Sequence, residues 1–201
     1  MSIQLKEPTL SAEPLPDWFM PPPGGWTADD LDRLPPEAPQ HIELIDGALI
    51  VVSPHRSFHS RVMLRLGSAL DLAAPEGIGV EIEMAVKLGQ RQRPEPDILA
   101  FRTSDRDNDR TFYLPEEVLL VVEIVSEESA ERDRETKPLK YAKAEIPHFW
   151  RVEEDDSGFP VVYVYELDPA TGQYVPTTIA HDRLTVSVPF DIDVDLRRLV
   201  R

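Results

Sequence analysis

Two carboxylates at the borders of two apolar segments carry the chemistry most clearly. Asp97 stands in Arg93-Pro94-Glu95-Pro96-Asp97-Ile98, and Glu123 interrupts the otherwise apolar run from Val118 to Val125. An apolar run of this kind reads as a strand buried on both faces. A carboxylate inside it is costly unless it is paired, hydrogen-bonded or bound to metal. Two explanations stand open for Glu123: a neighbouring Arg or Lys satisfies it, or it shares a cation with a second carboxylate such as Asp97. The chain has no cysteine, which removes thiolate zinc sites, cysteine nucleophiles and disulfides together and leaves oxygen and imidazole as metal ligands. Paired carboxylates suit hard ions such as Mg²⁺ or Mn²⁺.

The elements that must position these groups follow from periodicity and turn chemistry. Residues 1–26 form a proline-rich arm (Pro8, Pro14, Pro16, Pro21, Pro22, Pro23) ending in Gly24-Gly25, a composition that cannot pack a core by itself. Residues 27–201 read as a single domain. Thr27 is suited to cap a short helix through Leu34. Ile42-Glu43-Leu44-Ile45, then Asp46-Gly47, then Ala48 to Val52, predicts a β-hairpin, because Asp-Gly between apolar runs supplies the turn. Val62, Leu66, Ala69, Leu70 and Ala73 fall at helical spacing over 58–73, and Pro75 with Gly77 ends that helix.

From Val80 to Leu88 the apolar residues alternate with Glu81, Glu83 and Lys87, predicting one half-buried strand, and Ile98 to Phe101 continues the sheet. After the charged loop 104–110 and the strand ending near Glu123, a polar helical stretch spans about 128–144, with Pro138 expected to break it into two pieces, the second capped by Thr136 or Lys137, carrying Pro138 in its first turn and running to Ala144. Phe149-Trp150-Val152, Val161 to Leu167, and shorter strands around Tyr174 and 185–188 complete the order ββ-α-ββ-β-α-β-ββ. This is an α/β (α+β) mixed sheet with two main helices.

Charge limits the partners. The formal net charge is −16, from 37 acidic and 21 basic residues, which gives no general attraction to nucleic acid or anionic lipid. A cation bound among clustered acids reverses that sign locally. Arg91, Arg93, Arg102 and Arg106 gather near the Asp97 strand and read as solvated surface charge. No stretch reaches the length of a membrane span and no signal peptide opens the chain, so no membrane association and a cytoplasmic location are expected. His55, His59 and His148 lack acidic partners at zinc-protease spacing, Gly77 and Gly79 precede a strand rather than a phosphate-binding helix, and Ser126 suits a helix cap better than a nucleophile elbow.

The ordered set has a family likeness. Pro96-Asp97, a strand-borne Glu123, a helix with Asp133, Lys137 and Tyr141, and then Ile146-Pro147-His148-Phe149-Trp150-Arg151-Val152 resembles the putative restriction endonuclease family of the PD-(D/E)XK superfamily. The hairpin 42–47 and His59 at the first helix fit the same pattern, and the likeness covers roughly residues 40–190. It implies a restriction-endonuclease-like core, hydrolysis of DNA with Mg²⁺ or Mn²⁺ at Asp97 and Glu123, and a homodimer for cutting both strands. One departure stands out: where the superfamily places lysine two residues after the strand glutamate, this chain has Val125. The resemblance then assigns the ammonium to Lys137 on the following helix. Read without it, Lys137 is an exposed helix charge paired with Asp133.

By the same analogy the backbone carbonyl of Ile124 completes the metal shell. Glu43 either assists, through a second metal or a metal-bound water, or is a polar residue on a solvent-facing strand side. His59 faces the site or a phosphate, or is structural; Asp133 orients Lys137 or caps the helix; Tyr141 packs beneath the site. Against the nuclease stand a nuclease-fold binding or regulatory module without activity, and an acidic interaction module using the proline-rich arm and Asp191, Asp193 and Asp195.

Overall fold

The computed structural model describes residues 15–103 and 109–201. The first part of the proline-rich arm, Arg106 and most of the charged loop read at 104–110 lie outside the described residues. Thr27 caps a 3₁₀ helix, Ala28–Arg33: its backbone N–H and hydroxyl both reach the Asp30 carboxylate. Strands β1 (Ile42–Ile45) and β2 (Ala48–Val51) form the expected hairpin, with Ile45 paired to Ala48. Both turn residues have positive φ, Asp46 at 53° and Gly47 at 81°, the twist that joins two strands through a two-residue turn. The positive φ at 47 favours glycine, and a Cβ there would push the exposed Arg91 guanidinium aside.

Helix α1 (Ser57–Ala73) leads to β3 (Ile78–Ile82) and β4 (Ala85–Val86); β5 (Ile98–Arg102), β6 (Phe112–Tyr113) and β7 (Val118–Ile124) follow. Helix α2 (Lys137–Lys143) precedes β8 (His148–Glu154), β9 (Pro160–Asp168), β10 (Gln173–Ala180), β11 (Arg183–Val186) and β12 (Ile192–Asp195). The main sheet has six strands in the order β10-β9-β8-β7-β5-β3. Only β7 and β8 run parallel within it, so the chain must cross over between them, and α2 lies on that crossover. The architecture is the mixed α/β sheet with two main helices and an N-terminal hairpin that the sequence predicts.

Each sheet face has its own core. Val62, Met63, Leu66 and Leu70 of α1 pack on Ile98, Ala100, Leu120, Val122, Ile124, Trp150 and Val152. On the other face Tyr141 of α2 meets Leu99, Val121, Ile146 and Phe149. Because side chains alternate along a strand, β7 sends Leu120, Val122 and Ile124 toward α1 and turns Val121 and Glu123 toward α2. Among the described residues, no helix is long and apolar enough to cross a membrane.

Four expectations change. The alternating run 80–88 is two strands, because Glu83 has φ 53° and breaks the pairing. Its N–H turns to the Asp97 carbonyl, and β4 pairs with β6 instead. Pro138 stands in the first turn of α2, which opens at Lys137 after Thr136 as expected, but no gap separates the two pieces: helical backbone runs from Ala130 through a π turn, Arg132–Thr136, directly into α2. The π turn sends the Lys137 N–H to the Arg132 carbonyl and widens the backbone just ahead of Pro138, which relieves the clash and the missing donor. The strand around Tyr174 is long, eight residues, because it pairs along β9. Arg93 is buried rather than solvated, donating to Asp32 and to the Ala28 and Thr111 carbonyls.

Candidate active site

Sheet register brings the two carboxylates together. Ile98 faces Val122 across the antiparallel β5–β7 pair, so one more step sets Asp97 beside Glu123. Asp97 is held from both sides: the Ile124 N–H donates to Oδ2 at 2.5 Å, and His59 Nε2 of α1 lies 2.7 Å from Oδ1. Glu123 is 1% exposed and lies on the α2 side of the sheet, where Lys137 Nζ donates to Oε2 at 2.9 Å and the Tyr141 hydroxyl to Oε1 at 2.6 Å.

Lys137 is the hub. Its ammonium is 2.8 Å from Glu43 Oε1 and 3.4 Å from Asp133 Oδ1 as well as touching Glu123. Helical spacing places Asp133 and Lys137 on one side, Tyr141 follows a turn later, and the β1 strand delivers Glu43. The hairpin is fixed relative to α2 by Lys140, whose ammonium donates to both Asp46 oxygens at 2.8 Å. Glu43 also accepts the Glu95 N–H at 2.9 Å, and the Glu95 side chain lies 2.6 Å from His41 Nδ1.

Asp97, Glu123, Lys137, Glu43, Asp133, His59 and Glu95 line one cavity of about 240 Å³, together with His55, Arg56, Ser53, Arg132 and others. Buried acids outnumber buried cations there, and the acidities respond. Burial pushes the Glu123 carboxyl well above its usual range, against the pull of Lys137, with Asp133, Asp97 and Glu43 raising it further. Burial likewise raises Asp133, again opposed by Lys137. Burial pushes Glu95 up to about 7 in spite of its bond to His41. For Lys137, burial would favour the neutral amine, but the attraction of Glu123, Glu43, Asp133 and Asp97 together wins and raises the ammonium above its ordinary value. The lysine is therefore a fixed positive charge at neutral pH.

One ammonium leaves a surplus of buried carboxyl groups, and carboxyl oxygens are the donors a hard divalent cation takes. Asp97 and Glu123 could hold such an ion, with Glu43 within the same cavity.

The cavity thus unites Asp97, Glu123, Lys137, Glu43, His59 and Ile124. Glu43 is buried, not on a solvent face, and Lys137 is not an exposed helix charge. Ile124 enters through its N–H, which positions Asp97. Sequence reasoning missed Glu95 and His55 and placed Tyr141 as packing alone. The missed signals were the acid inside Pro94-Glu95-Pro96 and the four-residue spacing of His55 and His59 at the start of α1.

A carboxylate cluster with one buried lysine at the end of a mixed sheet is the frame of a nuclease-like domain. The family model for Uma2, described as a putative restriction endonuclease, matches residues 28–197, and the chain belongs to that family. A search of curated proteins returned no match. Among solved structures, the crystal structure of a putative nuclease belonging to DUF820 from Anabaena variabilis ATCC 29413 superposes with a TM-score of 0.67 at 20% identity, covering 87% of this chain and 97% of that one. At that identity the likeness speaks for the fold alone.

Proposed function

We propose that this protein is a metal-dependent endonuclease that hydrolyses DNA phosphodiester bonds. The observation that carries the reading is the buried set Asp97, Glu123 and Lys137, joined by Glu43, in one open cavity of a fold shared with a putative nuclease. Mg²⁺ or Mn²⁺ held by Asp97 and Glu123, with the Ile124 carbonyl as a further ligand, would polarise the scissile phosphate and make the attacking water more acidic.

The chain's own residues do the rest. Lys137 stays protonated and so stabilises negative charge developing on the phosphate rather than accepting a proton. Tyr141 and Lys137 orient Glu123, while His59 and the Ile124 N–H orient Asp97, which keeps the carboxylates in place before substrate arrives. Lys137 thereby takes over the position that Val125 leaves empty in the sequence motif.

Two guanidinium groups, Arg56 and Arg132, stand among the acids that line the cleft. Arg56 is mostly exposed, and its nearest carboxylates, Glu127 and Glu154, stand at 3.6 and 3.9 Å. Arg132 donates to the Glu128 carbonyl at a long 3.4 Å. Loosely paired guanidinium groups like these suit the phosphates that flank the scissile one. A homodimer with two-fold-related sites would cut both strands.

The test is nicking of supercoiled plasmid with Mg²⁺ or Mn²⁺ by wild type, Glu123→Ala and Lys137→Ala. The reading expects cleavage by wild type alone. Metal binding without nicking by wild type would instead favour a nuclease-fold binding module.

A further inference from the structure

His55 and His59 remain after the carboxylate cluster is accounted for. His59 sits in the first turn of α1 and is buried, with its Nδ1 out of contact with solvent and without a hydrogen-bond partner. The His55 ring stacks on His59 with centroids 3.9 Å apart and planes 15° from parallel. Donor atoms of His55, His59 and Asp97 all lie within 4.8 Å of one another, and among the described residues this is the one such convergence of histidine and carboxylate donors. Ligands around a tetrahedral or octahedral ion with bonds near 2.1 Å are separated by about 3 to 4 Å, so these groups need only a small adjustment to share one.

We infer that His55, His59 and Asp97 form a site for a borderline transition-metal ion of the Zn²⁺, Co²⁺ and Ni²⁺ class, set beside the carboxylate cluster and sharing Asp97 with it. The ligand chemistry sets the class. Imidazole nitrogen favours these ions over Mg²⁺, which prefers oxygen and keeps its waters. The metal-free stack holds the two rings parallel, so one must turn for both to meet a single ion. His55 is the ring placed to turn: it is half-buried and its bond to Glu83 Oε1 is 3.1 Å, whereas buried His59 already holds Nε2 2.7 Å from Asp97 Oδ1, a hydrogen bond that an ion between the two atoms would replace with a small widening. Glu83 then lies beside the ring as an acceptor for its second nitrogen or as a further ligand. The site deepens the nuclease reading through the shared Asp97, since a second ion next to the first would let the cleft use more than one metal.

Cobalt absorption tests it, with Co²⁺ added to the full-length protein as the probe. Wild type is expected to develop visible bands at one equivalent, quenched by Zn²⁺. His55→Gln and His59→Gln should weaken Co²⁺ binding by roughly tenfold or more. Glu123→Gln should keep the bands, because Glu123 is not a ligand of this site. Thermal melts of each variant confirm folding; should His59→Gln fail to fold, the half-buried His55→Gln decides alone. Absence of the bands in wild type, or equal Co²⁺ affinity in wild type and His55→Gln, overturns the proposal. The nuclease reading fails separately: wild type that never nicks plasmid with Mg²⁺ sinks that reading, while the Co²⁺ result needs no cleavage.

Discussion

Replacing Lys137 with methionine tests the electrostatics of the cavity directly. The ammonium touches Glu43 and Glu123 at 2.8 and 2.9 Å and faces Asp133 at 3.4 Å, all of them buried. Methionine fills similar volume but leaves these acids without their cation. Removing one partner of a buried ion pair costs about 3–5 kcal/mol, because the remaining charge is stranded away from water. For a domain of this size each kcal/mol moves the melting temperature by about 2–4 °C, so the metal-free variant should melt roughly 6–20 °C below wild type. Two further features make the expectation specific. The stranded acids can escape the cost by taking up protons, so the deficit should be smaller at about pH 5 than at about pH 8. A divalent cation replaces the lost charge, so Mg²⁺ or Mn²⁺ at a hundredfold excess over its dissociation constant should return about 2.7 kcal/mol. The assay is differential scanning fluorimetry at both pH values with and without metal. A variant melting within about 2 °C of wild type at both pH values would refute the reasoning.

Other expectations follow from single contacts. Tyr141→Phe removes the hydroxyl bonded to Glu123 Oε1 and should cost about 1.5–3 kcal/mol of stability in urea titration while lowering nicking; unchanged stability would contradict the bond. Glu95 is held up to about 7 by burial, so the folded protein keeps a proton that the unfolded chain releases above its ordinary 4.5; its contribution to stability falls as pH rises through that window. His41, raised by Glu95 against the effect of its own burial, acts in the same direction: its stabilisation is full below its ordinary value of 6.5 and lost as pH rises through its folded value. Urea midpoints of the metal-free protein should therefore decline from about pH 5 to about pH 8, less steeply in Glu95→Gln, and a rise would count against both shifts. Gly47→Val, forced into positive φ against Arg91, should lose at least about 1 kcal/mol by the same titration. Arg56→Ala with Arg132→Ala should weaken DNA binding in fluorescence anisotropy with Ca²⁺ and flatten its salt dependence by about one unit of slope per lost phosphate contact; an unaltered slope would remove these residues from the substrate path.

The fold was legible where local chemistry and tertiary structure agree. Asp46-Gly47 announces its turn, the α1 periodicity its buried face, and the apolar run around Glu123 a central strand. Asp97 and Glu123 were legible because a charge within or beside apolar sequence demands a partner, whereas Lys137, in a polar stretch that reads as an exposed helix, was legible only through the family likeness. The partners themselves were less so. Nothing local says that Glu43 is buried, since its strand alternates like any solvent-facing one, and its partners, the Glu95 N–H and the Lys137 ammonium, come from distant segments. Pro138 reads as a helix breaker, and the π turn that accommodates it has no sequence signature. The break at Glu83 was hidden by good alternation, because the backbone there follows the Asp97 carbonyl rather than strand propensity. His55 was passed over because its acidic neighbours, Glu83 and Asp97, come from distant segments.

The central lysine also bears on the order of assembly during synthesis. The hairpin that carries Glu43, the first helix, and strands β5 and β7 are all translated before Lys137. Closing them together beforehand would bury acids with no cation among them, a state disfavoured by several kcal/mol. The β7–β8 pairing likewise waits for residues beyond 147 to emerge. A ribosome-bound fragment ending before α2 thus holds its carboxylates in water and forms no cavity. A chain that stops short of Lys137 lacks the ammonium on which Glu43, Glu123 and Asp133 converge, and with it the balanced site.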